Sequence, residues 1–239
     1  LPGFPYDQKC LGSTTLSSQA EVDGFDCPVV TGTLKISGTD ITNLSGLSGL
    51  QKVGQLIIEN NPNLTNLDGL SSLDSIQGSN ETSVAYLFIR NNASLSNIDG
   101  LSSLTSMQAT FFTEIRIDNN PSLTNLNGLS SLREFYWVKD GFIVITNNET
   151  LSDISGLSPL RITGTHMTSN LHLDISNNRE LKLCNDLFPF LKSMGGKSFG
   201  KNSSVRIEEN GEGCTLEDIL SYDPDELCVN RSLKTQEEV

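Results

Sequence analysis

Apolar residues recur along this chain in short alternating runs, each closed by a pair of asparagines. Leu56-Ile-Ile-Glu-Asn-Asn61, Leu87-Phe-Ile-Arg-Asn-Asn92, Ile115-Arg-Ile-Asp-Asn-Asn120, Ile143-Val-Ile-Thr-Asn-Asn148 and Leu173-Asp-Ile-Ser-Asn-Asn178 share one phase. Leu34-Lys-Ile36 opens the series and Val205-Arg-Ile-Glu-Glu-Asn210 closes it. Three residues after the second asparagine comes a leucine (Leu64, Leu95, Leu123, Leu151, Leu181). A Gly-Leu step follows, as at Gly69-Leu70 and Gly100-Leu101, and then Leu73, Leu104, Leu132 and Leu160. Ile36, Ile58, Ile89, Ile117, Ile145, Ile175 and Ile207 mark the period, with spacings of 22, 31, 28, 28, 30 and 32 residues.

Alternation with period two predicts a strand with Leu56 and Ile58 inward and Ile57 outward, and the same in each unit. A unit this short cannot bury its own apolar face, but stacked units cover one another. The expected fold is mainly β: a right-handed β-solenoid of the leucine-rich-repeat kind, a single-stranded right-handed β-helix with disulfide-capped ends. Its organisation reads as one domain, with residues 1–33 an N-terminal cap, 34–210 a solenoid of about seven coils and 211–239 a C-terminal cap and tail. The second asparagine of each pair (Asn61, Asn92, Asn120, Asn148, Asn178) is expected to turn inward and ladder from coil to coil. Gly46, Gly69, Gly100, Gly128 and Gly156 are expected at a corner that needs either positive φ or close packing. The extra residues of the longer units fall before the next strand, within 77–85, 108–113, 136–141, 163–170 and 192–203, where length can vary outside the core.

Composition narrows the function. A net charge of −13 repels phosphate backbones and anionic bilayers, which argues against nucleic acid and membrane-surface partners. No run of 18 apolar residues exists, so no membrane insertion is expected. The N-terminus lacks a basic region followed by an apolar run, so the chain reads as a mature ectodomain or a fragment of one. The five cysteines, Cys10, Cys27, Cys184, Cys214 and Cys228, crowd at the two ends and leave 156 residues between Cys27 and Cys184 without any. No CxxC pair supports a zinc site. In polar terminal segments such cysteines read as end-capping disulfides, and hence as an extracellular chain, rather than as reduced core thiols.

The two ends carry a resemblance. Cys10, and then Cys27-Pro-Val-Val-Thr-Gly-Thr-Leu-Lys-Ile36, are similar to the opening of the receptor L domain, the module of insulin-receptor and epidermal-growth-factor-receptor ectodomains. Leu173-Asp-Ile-Ser-Asn-Asn-Arg-Glu-Leu-Lys-Leu-Cys184 and Val205-Arg-Ile-Glu-Glu-Asn-Gly-Glu-Gly-Cys214 resemble its last full coil and the segment that follows. The regular Gly-Leu-Ser-Ser-Leu corners look more like microbial surface-protein members than like the animal receptors. The resemblance implies the pairs Cys10–Cys27 and Cys184–Cys214. It leaves Cys228 free, bonded to a second chain as a dimer, or paired elsewhere.

Candidate binding residues are outward strand positions that are apolar or aromatic where solvent would favour polar ones. Ile57, Tyr86, Phe88, Phe142 and Val144 cluster in the central coils, with Arg116 and His172 among them and Trp137 at the coil edge. Such a patch rimmed by charge is what a protein-binding surface looks like, unless a loop folds over it. Strands about 4.8 Å apart make a face on the order of 300 Å2, smaller than one side of a standard interface. Phe111-Phe112 and Tyr136-Trp137 in the inserts either extend the face or cap the coil edge. The expected partner is a protein or peptide, or a glycan. Of seven sequons, at Asn43, Asn63, Asn80, Asn92, Asn148, Asn202 and Asn230, Asn80 and Asn202 lie in inserts and are the best glycosylation acceptors.

Catalytic and cofactor signals are missing. The two histidines, His166 and His172, accompany no GxSxG elbow, and no glycine-rich phosphate loop is present. Outward Glu59, Glu114 and Asp118 could mimic a glycosidase pair, but Arg116 beside them points to a salt-bridged surface. No calcium-loop spacing occurs, so no metal or cofactor is expected. The sequence therefore reads as a recognition module of a cell-surface or secreted protein and not as an enzyme. The alternative is a structural or adhesive wall or envelope protein.

Overall fold

In the computed structural model of the protein, the described residues are 10–78, 83–162, 170–182 and 203–218, with residue 162 described by its backbone alone. The strands are β1 (Thr14–Leu16), β2 (Val29–Ile36), β3 (Lys52–Glu59), β4 (Ser75–Gln77), β5 (Val84–Arg90) and β6 (Ser106–Gln108). They continue with β7 (Phe112–Asp118), β8 (Glu134–Tyr136), β9 (Asp140–Thr146), β10 (Arg161–Ile162), β11 (Asn170–Ser176) and β12 (Ser204–Glu208). All pairings are parallel. One ladder runs β1-β2-β3-β5-β7-β9-β11-β12, and a shorter one leaves β3 as β4-β6-β8-β10. This is the β-solenoid that the repeat predicts, with four complete turns from β3 to β10.

β2 and β3 belong to both ladders. Val29 and Val30 pair with Lys52 and Val53, which pair onward with Ser75 and Ile76, while Thr33–Ile36 pair with Gln55–Ile58 on the long ladder. The 22-residue spacing from Ile36 to Ile58 leaves no insert, so β3 bends round the corner as one strand. Longer spacings split later turns into two strands at that same corner.

The core is a single cluster running from Cys10 to Cys214. Inward residues of each strand, such as Leu87 and Ile89 or Ile115 and Ile117, are fully buried, as are the leucines of the corners. Each such side chain contributes about 1.5–3 kcal/mol by leaving water. The asparagine ladder forms as expected. Asn61, Asn92, Asn120, Asn148 and Asn178 are fully buried, and the backbone N–H of each donates to the side-chain oxygen of the next, ending at Asn210.

The repeated corners are 3-10 turns at Ser45–Leu47, Asp68–Leu70, Asp99–Leu101, Asn127–Leu129 and Ser155–Leu157. An Asx residue opens each one: Asn66 Oδ1 accepts from the Asp68 N–H, and Asn97 Oδ1 accepts from the Asp99 N–H. Of the two expectations for the corner glycine, close packing is the one found. A Cβ on Gly100 would sit 1.8 Å from the Leu67 carbonyl oxygen, and none of these glycines has positive φ. Positive φ instead falls on the first asparagine of each pair, Asn60, Asn91, Asn119, Asn147 and Asn177, at 55–59°. Asparagine tolerates that left-handed turn better than other residues with a Cβ.

At the N-terminal end, the helix α1 (Gln19–Asp23) stacks on the first corner where a preceding coil would lie, and its Val22 is buried. The Ser18 hydroxyl caps its N-terminus by accepting from the Glu21 N–H. The Cys10–Cys27 disulfide ties this cap together. Cys214 is also disulfide-bonded, whereas Cys184 and Cys228 lie outside the described residues. Among the described residues no helix is long and apolar enough to cross a membrane.

Candidate functional site

The outward positions of the long ladder form one face in three columns. The middle column reads Lys35, Ile57, Phe88, Arg116, Val144, Asp174 and Arg206 through the strand register. All but the terminal Arg206 are half-buried, because each leans on its ladder neighbours while its tip meets solvent. Of the column on the N-terminal side, Tyr86, Glu114, Phe142 and His172 are half-buried and Gln55 is buried.

The aromatics meet in two stacks. Tyr86 lies against Phe88 with ring centroids 4.8 Å apart and nearly parallel. Phe142 lies against His172 at 4.7 Å, and the His172 Nδ1 shares a 2.9 Å hydrogen bond with Ser204 Oγ. Phe112 extends the second stack at 6.2 Å from Phe142, and exposed Phe111 packs on Phe112 at 4.2 Å. The Lys139 ammonium sits 4.9 Å from the Phe111 ring centre and 5.3 Å from that of Phe112, within cation–π range. Phe111 and Phe112 therefore extend the face instead of capping the coil edge.

Charge on the face is arranged in pairs. The Arg116 guanidinium lies 2.7 Å from Glu114 between the two aromatic stacks. Burial, and then the neighbouring Glu114 carboxylate, push the Tyr86 hydroxyl above the usual tyrosine pKa. Glu59 receives the Lys35 ammonium at 2.6 Å and the Arg90 guanidinium from its other side. Burial alone would raise its pKa, but the hydrogen bonds from Lys35 and Arg90, and then their charges, outweigh it and hold the carboxyl below its ordinary value. Arg206 bridges Asp174 and Glu208. Glu59 and Glu114 are thus tied to basic partners, and Asp118 accepts hydrogen bonds from Thr146 and Asn147.

Ile57, Tyr86, Phe88, Arg116, Phe142, Val144 and His172 stand together on this face, as the alternation placed them. Trp137 does not join them. It is fully buried, packs 5.2 Å edge-on against Phe135, and fits beneath Gly141, where a Cβ would come within 2.6 Å of the indole. Period two carries the signal: with Phe135 inward, Trp137 two residues on is inward too. Its indole N–H has no hydrogen-bond partner among the described residues. Asn92 and Asn148 carry sequons but are buried in the ladder, which removes them as acceptors. Asn80, Asn202 and His166 lie outside the described residues.

The Receptor L domain family model matches residues 26–131, in agreement with the resemblance carried by the N-terminal motif. The segments around Cys184 and Cys214 fall beyond the matched residues. No curated protein and no solved structure matches the chain.

Proposed function

We propose, from the Receptor L domain match over residues 26–131 and the aromatic face of the long ladder, that this chain is an extracellular recognition module that binds a protein or peptide partner. Receptor L domains bind protein ligands and are a non-enzymatic recognition fold. The observation that carries the reading here is the clustering of half-exposed Tyr86, Phe88, Phe112, Phe142 and His172 in two stacks around the Glu114–Arg116 pair. Aromatic anchors beside arginine are the residue types that dominate binding energy at protein interfaces. Paired charges fix orientation and suppress wrong partners more than they add affinity.

The Cys10–Cys27 disulfide supports an oxidising compartment. In this reading Cys214 pairs with Cys184 to close the other end, and Asn80 and Asn202 are the glycan acceptors. The test is a binding screen against surface proteins of the same source, followed by oxidative footprinting of each complex. Tyr86, Phe88, Phe142 and His172 are expected to lose reactivity when the partner is bound. Unchanged reactivity at all four would move the site off this face.

A further inference from the structure

The opposite border of the same sheet, where the strands end, has different chemistry. The left-handed asparagines there form a second, outer ladder: Asn91 Nδ2 donates to Asn60 Oδ1 at 3.1 Å, and Asn119 Nδ2 donates to Asn91 Oδ1 at 2.8 Å. The ladder then breaks. Asn147 Nδ2 turns away to Asp118 Oδ1 at 2.9 Å, and the Asn177 side-chain amide makes no hydrogen bond among the described residues. An open cleft of about 410 Å3 lies at the break, lined by Asn91, Asp118, Asn119, Asn147 and Asn177. Glu149 and Arg179 flank it, and neither has an ion-pair partner among the described residues.

The left-handed backbone favours asparagine at these positions but does not require its amide. A positive φ is met equally by glycine, and Glu209 occupies the same position in the last coil at 55°. In the outer ladder an amide is needed where it bonds its neighbour; Asn147 still reaches the preceding coil through Asp118, but the Asn177 side chain bonds nothing among the described residues. Small-ligand sites are usually apolar with a few polar groups. This cleft reverses that ratio, and the only apolar residue in its lining is Pro121. It therefore offers no subsite for an apolar peptide side chain. Amide donors and acceptors together with carboxylates suit hydroxyl groups, and the excess of acid in a chain of net charge −13 disfavours anionic ligands.

We infer that the cleft at the strand ends binds a neutral oligosaccharide, held by the amides of Asn119, Asn147 and Asn177 and by the carboxylates of Asp118 and Glu149. The site is separate from the aromatic face and does not depend on it. The test is titration of the isotope-labelled chain with neutral linear tetrasaccharides of β-linked glucose, β-linked N-acetylglucosamine and α-linked mannose, read at the asparagine side-chain amide resonances. At least one sugar is expected to shift Asn119, Asn147 and Asn177 with a Kd on the order of 1 mM or tighter. The triple variant Asn119→Gly/Asn147→Gly/Asn177→Gly keeps the left-handed backbone and is expected to weaken binding at least about tenfold. Phe88→Ala/Phe142→Ala is expected to bind the sugar as the unmodified chain does. The inference is overturned if no sugar shifts these amides, if the triple variant keeps its affinity, or if the aromatic variant loses the sugar.

Discussion

Asn120 joins the coils on both of its sides. Its Nδ2 donates to the Ile89 carbonyl and to Asn148 Oδ1, while its own Oδ1 accepts from the Asn92 N–H. Asn120→Ala leaves buried groups on two coils without partners, and a destabilisation of about 2–4 kcal/mol is expected in urea denaturation. Asn119, one residue earlier, is exposed and left-handed, so Asn119→Gly is expected to change stability by less than about 1 kcal/mol. Equal effects at the two positions would contradict the division into an inner, buried structural amide and an outer, exposed one. The inner role is legible in the sequence, because one amide per coil at fixed phase is what stacked bends need. The outer role is not. The phase marks the second asparagine of a pair, but nothing in the sequence shows that the first is left-handed.

The corner is the element on which stacking depends. Each 3-10 turn brings a glycine so close to the coil before it that the two backbones touch. Gly100→Ala sets a Cβ against the Leu67 carbonyl, which is backbone and cannot swing aside, and a loss of about 3 kcal/mol or more is expected by thermal unfolding. Gly49, with nothing within 4 Å of an added Cβ, is the control, and Gly49→Ala is expected to stay within about 0.5 kcal/mol. The repeat locates these glycines, but it does not say whether φ or contact demands them, since both produce a fixed glycine once per turn. Strand alternation correctly orients Phe88, Phe142 and His172. Applied from Phe135 it also orients Trp137, whose size and type invite a surface role that its phase rules out.

At the scale of the molecule the solenoid is a stack whose ends are its weak points, because a terminal coil has a neighbour on one side only. The N-terminal end is closed by β1, α1 and the Cys10–Cys27 bond. Reduction of this bond alone is expected to lower stability by about 3 kcal/mol and to speed hydrogen exchange in β1 and α1 before β5 and β7. An unchanged melting temperature on reduction would contradict the capping role. Between the ends, coil stacking turns scattered outward residues into one continuous face, the one proposed to bind a protein. The most direct measurement is the affinity of Phe88→Ala/Phe142→Ala for the partner found by the screen, against that of the unmodified chain. A loss of about a hundredfold or more is predicted, as for two anchor residues at the centre of an interface. An affinity within about threefold of the unmodified chain, in a variant whose melting temperature shows it folded, would contradict the account.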